Sequence, residues 1–167
     1  MKSERSGFGQ SGVRLRRVEP RDLSILYEIQ AQSEGNEMAG TKPRTREAFF
    51  EVWDKHFTDP GVGGWVIELE SSGVSEVVGS IARFVAEGRD CVGYWLARAH
   101  WGKGIASRAL ELFLAQEVRR PLHATTAENN VASRKILERC GFECVGFRFG
   151  EETERYLARE IVDFVLR

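Results

Sequence analysis

The chain has 167 residues, enough for one domain with a real core. Its 24 Lys and Arg and 25 Asp and Glu leave a net charge of −1, which removes any whole-protein electrostatic case for nucleic acid or an anionic membrane as partner. No apolar run approaches the ~20 residues of a membrane span.

In chain order, residues 1–12 are Gly- and Ser-rich with mixed charge and no apolar h-region, so they read as a disordered lead-in without a secretory signal. A single domain is expected over residues 13–167. Val13 to Val18 alternates apolar and basic residues as a first strand. Glu19-Pro20-Arg21-Asp22 opens a helix whose apolar face is Leu23, Leu26, Tyr27 and Ile29 to Ala31. The polar stretch Ser33 to Arg46, with Gly35, Asn36, Gly40 and Pro43, is expected to be a loop. Thr45 then caps a helix from Arg46 to Phe57 that buries Phe49, Phe50, Trp53 and Phe57 and leaves His56 exposed. Three strands follow, Gly64 to Leu69, Val77 to Val85 and Cys91 to Ala97, and their short connections predict an antiparallel meander. A long helix runs from about Gly104 to Val118, with Ile105, Ala109 and Phe113 on one apolar row and Ala106, Leu110 and Leu114 on the next. Leu122 to Ala127 is a strand and Asn130 to Cys140 a helix closed by Gly141. Phe142 to Phe149 and Ile161 to Leu166 are the last two strands, joined by an acidic turn at Glu151, Glu152 and Glu154. Cys91, Cys140 and Cys144 have no metal-ligand spacing with His100 or His123, so we expect no metal and three buried small hydrophobes in a reducing cytosol.

The chemistry concentrates at the strand Tyr94-Trp95-Leu96-Ala97 and the turn Trp101-Gly102-Lys103-Gly104 that feeds Ile105-Ala106-Ser107. A strand, a glycine turn and a helix N-terminus make an anion site, because the first helical amides have no intrahelical acceptor and the dipole favours negative charge there. One alternative is a dinucleotide site, since Gly102-x-Gly104-x-x-Ser107 approaches GxGxxG and Glu128 could serve as a ribose ligand. Against it, the third glycine is a serine and the feeding strand ends an antiparallel meander instead of opening a parallel series.

A second motif tips the balance. Asn130-Val131-Ala132-Ser133 opens the next helix and Cys140-Gly141-Phe142 closes it. With Gly93-Tyr94-Trp95-Leu96 and Trp101 to Ala106, these stretches make the chain resemble the GNAT superfamily of N-acetyltransferases, and within it the RimJ/RimL-type branch. The resemblance implies an α+β fold, with a mixed, mostly antiparallel seven-stranded sheet, about four helices and a splay between the fourth and fifth strands. It implies acetyl-CoA as co-substrate, its pantetheine arm in the splay against backbone near Trp95 and Ala97. The pyrophosphate would lie on amides from Gly102, Lys103, Gly104, Ile105, Ala106 and Ser107, and Asn130 would orient the arm. Backbone amides at Leu96 and Ala97 would polarise the thioester carbonyl.

Three departures qualify that picture. Trp101 stands where the family often has Arg or Gln, so ring packing would replace a polar contact. Leu137 stands where many members carry a proton-donating Tyr. Ser133 is one turn earlier on the same face and is the candidate group near the sulfur, unless it only satisfies the helix start. Cys91 stands where the branch often has a Glu base. Glu68, Glu70, Glu151 and Glu152 are read first as solvated charges and only then as bases. The acceptor would be a protein or peptide N-terminal amine or a small-molecule amine, because lysine asks about 3–4 kcal/mol more help than an α-amine at neutral pH. Its wall would come from the Ser33–Arg46 stretch and the Glu151 turn. Glu34, Glu37, Glu151, Glu152 and Glu154, with Met38, Trp53 and Trp65, could build it, although solvated carboxylates and core aromatics are the preferred reading. The expected protein is a cytoplasmic N-acetyltransferase, monomeric or homodimeric, without nucleic-acid or membrane partners; the alternative is a non-catalytic acyl-CoA-binding module.

Overall fold

A computed structural model describes residues 12–167. The lead-in expected over residues 1–12 therefore lies outside the described residues, save Gly12, whose carbonyl accepts the Glu70 N–H at 2.9 Å. Strand β1 (Val13–Arg17) is followed by a 3-10 turn, Pro20–Asp22, and helices α1 (Leu23–Gln30), α2 (Ser33–Ala39) and α3 (Arg46–Thr58). Next come β2 (Gly63–Ser71), β3 (Val74–Ala86), β4 (Arg89–Leu96), α4 (Ile105–Gln116), β5 (Leu122–Ala127), α5 (Val131–Arg139), β6 (Glu143–Gly150) and β7 (Arg159–Leu166).

The strands form one 7-stranded sheet in the order β1-β2-β3-β4-β5-β7-β6. All neighbours are antiparallel except β4 and β5. The strand entering the glycine turn thus ends an antiparallel meander, which removes the dinucleotide alternative. Both faces of the sheet are covered, as the side chains of β2 record by alternating. Trp65 and Ile67 join the core under α4 and α5, whereas Val66 points to the core under α1 and α3. On the first face Trp65 meets Phe113 edge-on, ring centroids 5.5 Å apart. The row Ile105, Ala109 and Phe113 is fully covered, which is why α4 forms where its spacing predicts.

The five α-helices exceed the expected four because Ser33–Ala39, expected as a loop, is helical. Tertiary bonds supply what its sequence lacks in apolar periodicity. Asn36 Nδ2 donates to Gln30 O at 2.7 Å and to Gln32 O at 2.9 Å, and its Oδ1 accepts from Thr41 Oγ1 at 2.7 Å. Gly35 lies so close to Trp95 that a Cβ there would stand 2.9 Å from the indole Cζ2. Residues that read as helix breakers are here the contacts that fix the helix. Other expectations also shift. Cys144 is exposed and Cys91 and Cys140 are only half-buried, Phe57 is 41 % exposed, and His56 is half-buried against Trp53.

The entry to α1 is held by one buried carboxylate. Asp22, 4 % exposed, accepts both Arg16 terminal nitrogens at 2.8 Å and the Glu19 N–H at 2.8 Å. Asp22→Asn should cost about 2–3 kcal/mol, less than the ~3–5 of a fully buried pair because the Arg16 side chain keeps 29 % exposure. Arg16 holds the Asp22 carboxyl below the usual carboxylate range. A depressed pKa contributes stability above the unfolded value that is lost as pH falls through the folded one. Wild type should therefore lose stability below about pH 4 to a degree that the Asn variant does not, in denaturant melts repeated across the acid range.

Candidate active site

The site begins where two strands part. The only register pair between β4 and β5 is Cys91 with His123. Beyond it β4 stays paired to β3 as far as Leu96 with Gly79, and β5 stays paired to β7 as far as Ala127 with Ile161. Each strand keeps its outer neighbour, so the sheet splits between them without either strand unravelling.

Hydrogen-bond alternation decides which backbone groups look into the split. Ala97 N–H donates to Val78 O at 2.8 Å, so the polar groups of Ala97 and Trp95 face β3 and those of Tyr94 and Leu96 face the gap. This corrects the expectation that both Leu96 and Ala97 amides serve as donors: Ala97 is taken up by β3. The Leu96 carbonyl accepts from Trp101 Nε1 at 2.8 Å, and the Arg98 guanidinium stacks 4.9 Å over the Trp101 ring. Trp101 thus clamps the peptide beside the gap and fixes the Leu96 N–H, which faces it.

A cleft of about 380 Å³ runs through this opening from one face of the sheet to the other. It is lined by Trp95, Leu96, Trp101, Gly102, Gly104, Ile105, Ala106, Ser107, Asn130 and Ser133; of the expected site residues, Ala97 and Lys103 are not part of its wall. At its mouth Gly102 and Gly104 adopt φ of 74° and 77°, left-handed conformations that favour glycine. Gly104 O accepts the Arg108 N–H at 3.1 Å, so the helical ladder starts there and the amides of Ile105, Ala106 and Ser107 have no acceptor within α4. Lys135 and Arg139, from α5, add cations along the same wall.

Ser133, the serine expected near the sulfur, is one half of a hydroxyl pair. Tyr94 and Ser133 share a 2.6 Å hydrogen bond between hydroxyls, both in the cleft wall. Burial pushes the Tyr94 phenol up to about 12, against the smaller opposing pull of Ser133, so it keeps its proton at neutral pH. Asn130 Oδ1 caps α5 by accepting the Ser133 N–H at 3.2 Å, which leaves the Ser133 hydroxyl to Tyr94 and the Asn130 amide nitrogen to the cleft. Sequence reading quoted Tyr94 but gave it no role. Its signal was strand alternation, which puts Tyr94 opposite Trp95, on the face that α5 covers.

On the other face the cleft is walled by Gly35, Met38, Ala39 and Trp95. Trp53 and Trp65, 7 % and 8 % exposed, belong to the core. The segment after α2 clips to the β6–β7 connection through a Thr41–Tyr156 bridge, Lys42 N–H to Arg155 O at 2.7 Å, and Leu157 N–H to Gly40 O at 2.9 Å. This clip sets the Arg155 guanidinium 6.0 Å above the Trp95 ring. Glu152 points away into a pair with Lys42, Glu68 pairs with Arg16 and Glu70 with Arg14. Among the described residues no Asp or Glu lines the cleft.

A family model described as acetyltransferase (GNAT) domain matches residues 13–143. No curated protein matches by sequence. Solved structures do match by fold. A spermidine N-acetyltransferase from Vibrio cholerae, crystallised with CoA and spermine, superposes with TM-score 0.79 at 18 % identity, over 93 % of this chain and 95 % of that one. RimJ of Mycobacterium smegmatis, with CoA-disulfide, gives 0.73 at 24 % identity over 92 % and 81 %. RimL, a ribosomal L7/L12 α-N-protein acetyltransferase with coenzyme A, gives 0.73 at 16 % identity over 93 % and 94 %.

Proposed function

The chain belongs to the GNAT family of acetyltransferases, for which acetyl-CoA is the acetyl donor, and from that premise we propose that it transfers the acetyl group directly to a primary amine within a ternary complex. The observation that carries the proposal is the split between β4 and β5, with the Leu96 N–H directed into it and three helix-start amides at its mouth. Left-handed glycines with open space where a Cβ would stand, as at Gly102, suit a bulky diphosphate.

Acetyl-CoA supplies an acyl group activated as a thioester. The amides of Ile105, Ala106 and Ser107 would hold its diphosphate, helped by Lys135 and Arg139. The Leu96 N–H, fixed by the Trp101 clamp, is placed to stabilise negative charge that grows on the carbonyl oxygen. The Tyr94–Ser133 pair would deliver a proton to the departing sulfur, taking the role for which Leu137 has no hydroxyl. The amine enters from the Trp95 face and loses its own proton to solvent, since no carboxylate lines the wall. That chemistry favours an amine with an accessible neutral form, such as an α-amine, over lysine. Relatives of the fold include a spermidine N-acetyltransferase and a ribosomal L7/L12 α-N-protein acetyltransferase, so both small-molecule and protein amines fit the reading.

Free-thiol release from acetyl-CoA in the presence of a panel of amines is the test. Amine-dependent release with a matching N-acetyl product is expected. Tight acetyl-CoA binding with no release on any amine would instead favour a non-catalytic acyl-CoA-binding module.

A further inference from the structure

Among the described residues no carboxylate lines the acceptor face of the cleft, and beside that face, outside the lining itself, stands Arg155 with two further arginines near it in the fold. Arg155 stands over Trp95 and spends one terminal nitrogen on Lys42 O at 2.6 Å. Arg159 lies 4.0 Å over the Tyr156 ring, reaches only the Leu157 carbonyl, and buries an Nε that has no partner. Arg44 is half-buried on the segment that the clip joins to Arg155. Among the described residues no carboxylate lies within ion-pair distance of any of the three. The nearby acids are engaged elsewhere or exposed, with Glu152 on Lys42 and Glu34 taking the Ser33 hydroxyl.

Half-buried guanidiniums without counter-charge are a costly arrangement, because desolvation penalises each and like charge penalises the group. The cost shows at Arg155, which burial first and Arg44 second pull down to about 10, and burial lowers Arg44 and Arg159 as well. An incoming oxyanion would reverse both penalties, and a guanidinium presents it with a planar fork of donors.

We propose that the acceptor is a small amino acid, a primary amine carrying its own carboxylate, with Arg155, supported by Arg44 and Arg159, reading that carboxylate beside Trp95. This rests on the transfer reading above and narrows it. It sets the protein apart from a polyamine acetyltransferase, since a polycation would meet like charge at the entrance. The same arginines disfavour a second positive charge nearby, which lowers the basicity of the acceptor ammonium where no carboxylate base is present.

The experiment compares L-glutamate and L-methionine with their C-terminal amides and with spermidine, by thiol release, in the wild type and in Arg155→Gln and Arg155→Lys. The acids should have kcat/KM at least about tenfold above the amides, although the amides have the less basic amines, and above spermidine. Arg155→Gln should raise KM for the acids about tenfold or more, leave KM for the amides and the Kd of acetyl-CoA unchanged, and be partly rescued by Arg155→Lys. Thermal melts check that Arg155→Gln remains folded; Arg44→Gln, which removes no bond of the clip, gives the same readout if it does not. Amides or spermidine used as well as the acids, or an acid KM indifferent to both substitutions, overturns the proposal. Thiol release with no amine at all overturns the transfer reading beneath it.

Discussion

Gly104→Val should raise the Kd for acetyl-CoA at least about tenfold, the loss of one to two charge-assisted hydrogen bonds at ~1.5–3 kcal/mol each. Gly104 sits at φ 77° and its carbonyl opens the α4 ladder, so its conformation aims the following amides. Valine is a poor fit to that region, and the turn must rotate towards ordinary φ, carrying the Ile105 and Ala106 amides off their line. The fold itself feels a smaller penalty. A left-handed L-residue costs roughly 1–2 kcal/mol, about 3–8 °C in Tm for a domain of this size. Calorimetric titration beside a thermal melt separates the two effects. Gly104→Ala, which shares the φ penalty without the branched side chain, should fall between. Unchanged affinity in a folded Gly104→Val protein would remove the anion-site explanation of the glycine turn.

Tyr94→Phe should lower kcat about a hundredfold while acetyl-CoA affinity moves less than about threefold, the range for loss of a positioned proton donor. The substitution removes one oxygen from a ring already packed beside the core, so little else changes. Ser133→Ala should give a smaller fall, because Tyr94 keeps its hydroxyl but loses the 2.6 Å partner that orients it. The pH profile adds a second readout. With the phenol at about 12, the pair stays protonated across the accessible range, so no alkaline limb in kcat should come from this group. Rates equal to wild type in both variants would leave Ser133 as a helix-start residue and Tyr94 as packing.

Much of this was legible in the sequence. The row Ile105, Ala109, Phe113 and the glycine turn ahead of it read directly as a helix and its start, because both signals are local. The split between β4 and β5 came only with the family resemblance, since nothing in Cys91 to Ala97 or Leu122 to Ala127 says that two strands stop pairing after one residue. Helix α2 was not legible: Gly35 and Asn36 are breakers until Trp95, Gln30 and Thr41 are in place around them. The Tyr94–Ser133 pair spans 39 positions, and periodicity shows which face a residue takes but not what it meets there. The placement of Arg155 over Trp95 was hidden for the same reason. The glutamates of the Glu151 turn read as solvated charges, and nothing local told that the clip to the α2–α3 segment sets Arg155 over Trp95 while Glu152 stays outside on Lys42.

The central claim is that main-chain amides at a split sheet and a helix mouth grip the acetyl donor. Isotope-labelled protein titrated with coenzyme A tests it at the atoms concerned, through the amide resonances of each residue. The account predicts that Leu96 and the run from Gly102 to Ser107 shift most, with Ala97, bonded to Val78, shifting far less. Saturable binding that leaves Leu96 and Ile105 to Ser107 undisturbed would contradict it.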